Sequence, residues 1–200
     1  MSFFSSPWTL ALPCLVSLAA YGLAWTLAVG WSVAVRLSAT RRQRSDAADE
    51  SRGVTILKTL CGADEELEKN LRSFLDADHE PLQIVFGAAD PVDPALLLAR
   101  RLAKEYPRRD IAIVFGADPD VANPKVALLE TLLRHARHDV ILLSDSNVRL
   151  SRDDIAQVLP AFDDPRVGMV YQPVVAVGER TAPAAIENLH YTEYAAFLTI

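Results

Sequence analysis

Val54-Thr55-Ile56-Leu57-Lys58-Thr59-Leu60-Cys61-Gly62-Ala63-Asp64 is a β-branched apolar run that closes in a glycine-containing, acidic loop, the form of a buried strand meeting a turn. Toward the C-terminus, a charged segment with helical spacing from Glu65 to Leu75 leads into the next apolar run, Leu82-Gln83-Ile84-Val85-Phe86, and completes a βαβ unit. The pattern then recurs. A helix is expected from Pro94 to Tyr106, a strand at Ile111–Phe115, a helix from Pro124 to His135 and a strand at Val140–Leu143. A further helix over Arg152–Phe162 leads to a strand at Val167–Tyr171, and Pro183 opens a last helix toward the C-terminus. Strands alternating with helices predict an α/β domain whose largely parallel sheet is covered on both faces.

Toward the N-terminus the composition changes. Ala39 to Arg52 is charged and rich in small polar residues, so residues 36–52 are expected to form a linker and the domain to occupy 53–200. Upstream, Pro7 to Val35 carries no charged side chain, a stretch longer than the roughly 20 residues a helix needs to cross a bilayer. Trp8 and Trp31 stand near its ends, and Arg36, Arg41, Arg42 and Arg44 follow it, so residues 7–35 predict a single transmembrane anchor with the domain on the cytoplasmic side. A cleaved signal peptide is disfavoured because the segment before Pro7 lacks positive charge and the apolar run is too long. The chain has 200 residues, half of them apolar, and a formal charge of −6. Such a balance repels the phosphates of nucleic acid, and no basic face is present to offset it. Cys14 lies in the apolar stretch and Cys61 in a loop, which is no disulfide framework and suits a reducing compartment.

In open α/β sheets ligands bind beyond the carboxyl ends of the strands, so the loops after the strands are where chemistry is expected. Those loops are acidic: Asp64, then Asp90 and Asp93, then Asp118 and Asp120, then Asp145. Neither a Gly-x-Gly-x-x-Gly turn nor a P-loop is present to bind phosphate, which leaves a carboxylate-held cation as the substitute. Ser144-Asp145-Ser146-Asn147-Val148-Arg149 is the sharpest such loop, offering hard oxygen ligands for Mg²⁺ or Mn²⁺ from Asp145 and Asn147. Arg149 beside them reads either as a phosphate ligand or as the partner of a carboxylate. Taken alone, an Asp at a strand end is more often a turn or cap residue. His79, His135, His138 and His190 show no metal-ligand spacing.

The motifs taken together say more. Val54 to Asp64 resembles the Val-Ser-Ile-Leu-Lys-Pro-Leu-x-Gly-x-Asp opening of ceramide glucosyltransferases, and Ala89-Asp90-Pro91-Val92-Asp93-Pro94-Ala95 is similar to that family's second-strand Asp and Asp-Pro helix start. Asn123-Pro124-Lys125 resembles its Asn-Pro-Lys, and Asp145-Ser146-Asn147-Val148-Arg149 its Asp-Ser-Gly-Ile-Arg. These motifs occur in the family's order over Val54 to about Val177. Asn147 in the place of Gly is more like the hopanoid-associated bacterial glycosyltransferases, a closely similar group.

This resemblance implies a GT-A, Rossmann-like nucleotide-sugar domain and an inverting, metal-dependent transfer onto a lipid hydroxyl at the cytoplasmic face of a bacterial inner membrane. The donor would be UDP-glucose or UDP-N-acetylglucosamine, the acceptor a ceramide or a hopanoid, and the cofactor Mg²⁺ or Mn²⁺. Asp90 would contact the uridine, or else cap the helix after Pro94. Asp145 would hold the cation or the ribose, and Lys125 would contact the nucleotide or its phosphates, or stand solvated in the first turn of its helix. Asp64 and Lys58 would line the same pocket, Asp64 doubling as a cap for the helix from Glu65. Asn147 departs from the Asp of many Asp-x-Asp sites, so its amide is the weaker ligand. The family's acidic general base and Gln-x-x-Arg-Trp element are not in these residues, and the run Ala195–Ile200 is apolar without a stop signal, so the chain is expected to be truncated. The alternatives are a non-catalytic, membrane-anchored nucleotide-binding remnant and a receiver-type signalling domain.

Overall fold

The computed structural model describes residues 8–43, 52–63, 66–172, 174, 177–178 and 180–188. The chain divides into two compact units, residues 46–170 and a second unit made of the N-terminal 45 residues with residues 171–200. In that second unit, helix α1 runs Trp8–Gln43. Its segment Leu12–Trp31 is 20 residues long with a mean hydropathy of 1.7 and exposes its side chains, which is long and apolar enough to cross a membrane. The helix continues to Gln43, so its backbone enters the stretch assigned to a linker, whose residues 44–51 lie outside the described ones. Residues 182–188 are helical, as Pro183 signalled.

The α/β unit starts with β1 (Val54–Thr59), α2 (Leu67–Leu75) and β2 (Leu82–Ala88). It continues through α3 (Pro94–Glu105), β3 (Asp110–Phe115), α4 (Pro124–Leu133), β4 (Val140–Asp145) and α5 (Asp154–Val158). Its four strands are all parallel, in the order β3-β2-β1-β4. β1 and β2 are buried on both faces because each lies between two strands and under helices, which is why they read as unbroken apolar runs. On one face, Val54, Ile56 and Ile84 pack against Leu67, Leu71 and Phe74 of α2 and Leu96 and Leu102 of α3. On the other, Leu57 and Val85 pack against Leu128 and Leu132 of α4. Gly87 is what lets α4 lie on that face, since a Cβ there would stand 2.3 Å from Leu132 Cδ1.

Both helices that open on an X-Pro pair are capped by the residue before the proline. Asp93 accepts from Ala95 N at 2.8 Å, and Asn123 from Lys125 N at 3.0 Å and Val126 N at 3.3 Å. The loop leaving α4 is tied beneath the sheet by a buried polar pair. Thr55 Oγ1 donates to Gln83 Oε1 at 2.9 Å, Gln83 Oε1 accepts from Arg137 N at 2.9 Å, and Gln83 Nε2 donates to the His135 carbonyl at 3.0 Å.

Sequence expectation and structure part at the C-terminal end of this unit. The helix expected over Arg152–Phe162 breaks into α5 and a 3-10 turn at Leu159–Asp163, because Pro160 has no N–H to continue an α-helical ladder. Val167–Tyr171 forms no strand: among the described residues the sheet has four strands, and Met169 is 84% exposed with no strand edge to pair with. The strand order also removes the receiver-type alternative, whose doubly wound sheet places β1 between β2 and β3, whereas here β1 lies between β2 and β4.

Candidate donor site

The chain path reverses at β1: β2 and β3 are added on one side, β4 on the other. The crevice outside the carboxyl ends of β1 and β4 is therefore the topological switch point, where α/β sheets bind ligands. Thr59 of β1 is in register with Asp145 of β4 and with Gly87 of β2, so these strand ends are level. Asp145 is the last residue of β4, its side chain 53% exposed. From the first turn of α4, Lys125 Nζ reaches it at 2.6 Å. Asp145 and Lys125, remote in sequence, are thus brought together by β4 and the capped start of α4.

The turn after β4 is held from below. Lys58, on β1, is fully buried, so it does not line an open pocket as the sequence reading expected; β1 is a covered inner strand, buried from Val54 through Lys58. Its ammonium donates to Ser144 Oγ at 3.1 Å, to the Asp145 carbonyl at 2.6 Å and to the Val148 carbonyl at 3.2 Å. It also lies 3.6 Å from the centre of the Phe74 ring. Burial pushes this ammonium down to about 7, against the opposing pull of the Asp145 charge. Arg149 Nη2 turns to α2, donating to Glu66 Oε2 at 2.9 Å and Asn70 Oδ1 at 3.2 Å. Of its two sequence readings, the ion pair is the one made here. Asn147 is exposed on the same turn.

Beyond β2, Asp90 folds its carboxylate into an Asx turn, accepting from Val92 N at 2.9 Å, and remains exposed. It does not cap α3. Asp93 does, because a cap must immediately precede a proline at the first helical position. Asp93 also accepts from Gly62 N through Oδ1 at 3.1 Å and Oδ2 at 3.0 Å, tying the β1 loop to α3, and Gly62 adopts a φ of 65°. Among the described residues no hydrogen bond or ion pair joins Asp90 to Asp145. β1 separates their strands, which sets the two strand ends about 10 Å apart. Asp64 lies outside the described residues.

The buried role of Lys58 and the whole role of Asn70 escaped the sequence reading. Lys58 is a lysine inside an otherwise apolar strand, and Asn70 is an amide on the buried face of α2; such exceptions in a hydrophobic pattern were the available signal. Among the described residues no group of three or more His, Cys, Asp or Glu side chains converges. A surface concavity lies elsewhere, at the opposite end of the sheet between Asp76, Glu80, Tyr106 and Arg109. Arg109 there is already engaged by the Leu75 and Ala77 carbonyls and by Glu80, so the concavity is a satisfied ion-pair web.

Residues 14–198 match the pattern of glycosyl transferase family 21. The chain belongs to that family. Over 103 residues, 52% of its length, this family 21 chain is 32% identical to ceramide glucosyltransferase 1 of Caenorhabditis elegans, and the match covers 22% of that protein. It is 33% identical over 116 residues to the ceramide glucosyltransferase of Candida albicans (strain SC5314 / ATCC MYA-2876), covering 52% of this chain and 21% of that one. The matched stretch thus spans about a fifth of the length of these relatives. Among solved structures, the mannosyltransferase PcManGT from Pyrobaculum calidifontis, in complex with GDP-Man and Mn²⁺, is similar with a TM-score of 0.51 and 22% identity over 77% of this chain and 47% of that one. That likeness establishes a GT-A glycosyltransferase fold.

Proposed function

We propose that this family 21 chain is the membrane-anchored donor half of an inverting glycosyltransferase that moves glucose or N-acetylglucosamine from a UDP-sugar to a membrane lipid hydroxyl, on a ceramide or a hopanoid. The carrying observation is the meeting of Asp145 and Lys125 at the β1/β4 switch point, an anionic and a cationic group side by side where a nucleotide is expected. In this reading residues 7–35 anchor the chain, 36–52 link, and 53–200 bind the donor at the cytoplasmic face of a bacterial inner membrane. The exposed, apolar Leu12–Trp31 supports the anchor.

The donor set fits Mg²⁺ or Mn²⁺. One open carboxylate and one open amide, Asp145 and Asn147, are what such a cation takes from protein when substrate phosphate oxygens complete its shell. When bound, the cation neutralises charge building on the leaving diphosphate. Lys125, paired with Asp145 in the free chain, turns to a phosphate when the donor enters. Asp90, exposed beyond β2, takes the uridine end, across the gap that the width of β1 imposes. Arg149 serves the site by bracing the turn through Glu66, and the general base comes from other residues.

Asp145→Ala tests this reading. The ion pair it removes is half-exposed on both sides, worth about 0.2–1 kcal/mol, so melting should hardly move. Calorimetric titration of UDP with Mn²⁺ into the whole chain should give saturable binding that this variant weakens roughly a hundredfold, the scale of one lost electrostatic contact. Preference for NAD or ATP over UDP, or unchanged affinity in the variant, refutes it.

A further inference from the structure

We propose that Lys58 and Asn70 are positioning residues of the donor site: from β1 and α2 they grip the backbone carbonyls of the turn Asp145–Val148 and so set where the Asp145 carboxylate and Asn147 amide stand. The proposal rests on the reading of those two residues as donor-site ligands.

Lys58 lies on the α2 face of β1, two positions from Ile56, which fills the same face with hydrocarbon alone. A buried ammonium is costly unless each N–H finds an acceptor. Here three acceptors are supplied, and all belong to one short segment: the Ser144 hydroxyl and the carbonyls of Asp145 and Val148. The two carbonyls are the ends of a turn that Val148 N closes on the Asp145 carbonyl at 3.3 Å, so a single cation clamps both ends. The Phe74 ring covers the ammonium on another side.

Asn70, 5% exposed, grips the middle of the turn, donating from Nδ2 to the Ser146 carbonyl at 3.3 Å. Its Oδ1 receives Arg149, and Ser73 Oγ receives Leu150 N at 3.0 Å, which extends the attachment to α2 past the turn. The carbonyls of residues 145, 146 and 148 are therefore all occupied by β1 and α2, while Asp145 and Asn147 stay exposed. This is how a scaffold holds ligands it does not itself supply.

UDP titrations of the whole chain with Mn²⁺ and again in EDTA, for wild type, Lys58→Met and Asn70→Ala, test the inference. The increment in UDP affinity that Mn²⁺ brings should fall roughly 10- to 100-fold in each variant, the range for groups that orient metal ligands. UDP affinity in EDTA should stay within about twofold, because the uridine end at Asp90 is untouched. A folded variant with an unchanged Mn²⁺ increment overturns the inference, as does an equal fall in both titrations, which a general loosening of the domain would cause. If circular dichroism shows Lys58→Met unfolded, Asn70→Ala decides by the same criteria. A wild-type chain that binds no UDP instead refutes the donor-site reading itself.

Discussion

Gly87→Ala tests the packing that brings α4 to the sheet. The added methyl would stand 2.3 Å from Leu132 Cδ1, 2.9 Å from Cγ and 3.1 Å from Cδ2, against the roughly 3.5–4.0 Å at which carbon atoms rest. Leu132 is fully buried among Leu57, Val85, Val114 and Leu128, so the side chain has no open space to turn into. Either it leaves its rotamer or α4 withdraws, and overpacking of this kind costs about 1–3 kcal/mol. Leu132→Ala alone leaves a void and should cost about 2–5 kcal/mol. In the double variant the new methyl occupies part of that void, so the combined loss should fall short of the sum by about 1 kcal/mol or more. Urea denaturation of the whole chain in detergent, followed by far-ultraviolet circular dichroism, measures all three. Additivity within about 0.5 kcal/mol would refute the contact. Because α4 also carries Lys125, Gly87→Ala should weaken UDP–Mn²⁺ binding and the double variant should restore part of it.

Three further outcomes are expected. Gln83→Leu takes the donor from the His135 carbonyl and leaves Arg137 N only its longer bond to Thr55 Oγ1 at 3.3 Å, at the end of the sheet away from the site, so it should cost about 1–3 kcal/mol of stability in the same denaturation experiment and leave the affinity of the folded chain for UDP unchanged. With Lys58 at about 7 in the folded chain and near its ordinary value when unfolded, the folded state sheds a proton that the unfolded state keeps until pH is about 10.4, so this residue's contribution to stability rises with pH across that window. Wild type should gain on Lys58→Met by up to about 1.4 kcal/mol per pH unit there, and parallel stability curves would contradict the burial of a titrating amine. The exposed, apolar Leu12–Trp31 predicts that the protein stays with membranes after an alkaline carbonate wash, checked by immunoblot of pellet and supernatant; recovery in the supernatant would count against the anchor.

The alternation of apolar runs with helical spacing was enough for the α/β class, since strand and helix each impose their own period on what must be buried. Asp-Pro and Asn-Pro marked the starts of α3 and α4 because capping is local chemistry between neighbours in the chain. The motif order pointed to the right family, and the acidic strand ends offered Asp145 as a candidate, since those residues are read one by one. Contacts set by folding were not legible. Lys125 meets Asp145, Asp93 reaches Gly62 N across to the β1 loop, and Arg149 turns to Glu66 only because of where β4, α3 and α2 come to lie. The failed strand at Val167–Tyr171 has the same origin, since a strand exists only where another edge accepts it. Lys58 shows the division most plainly: its sequence position marks it as an oddity in a buried strand, and only the packed sheet, which shuts it from water and lays three oxygens of one turn around it, decides what that oddity does.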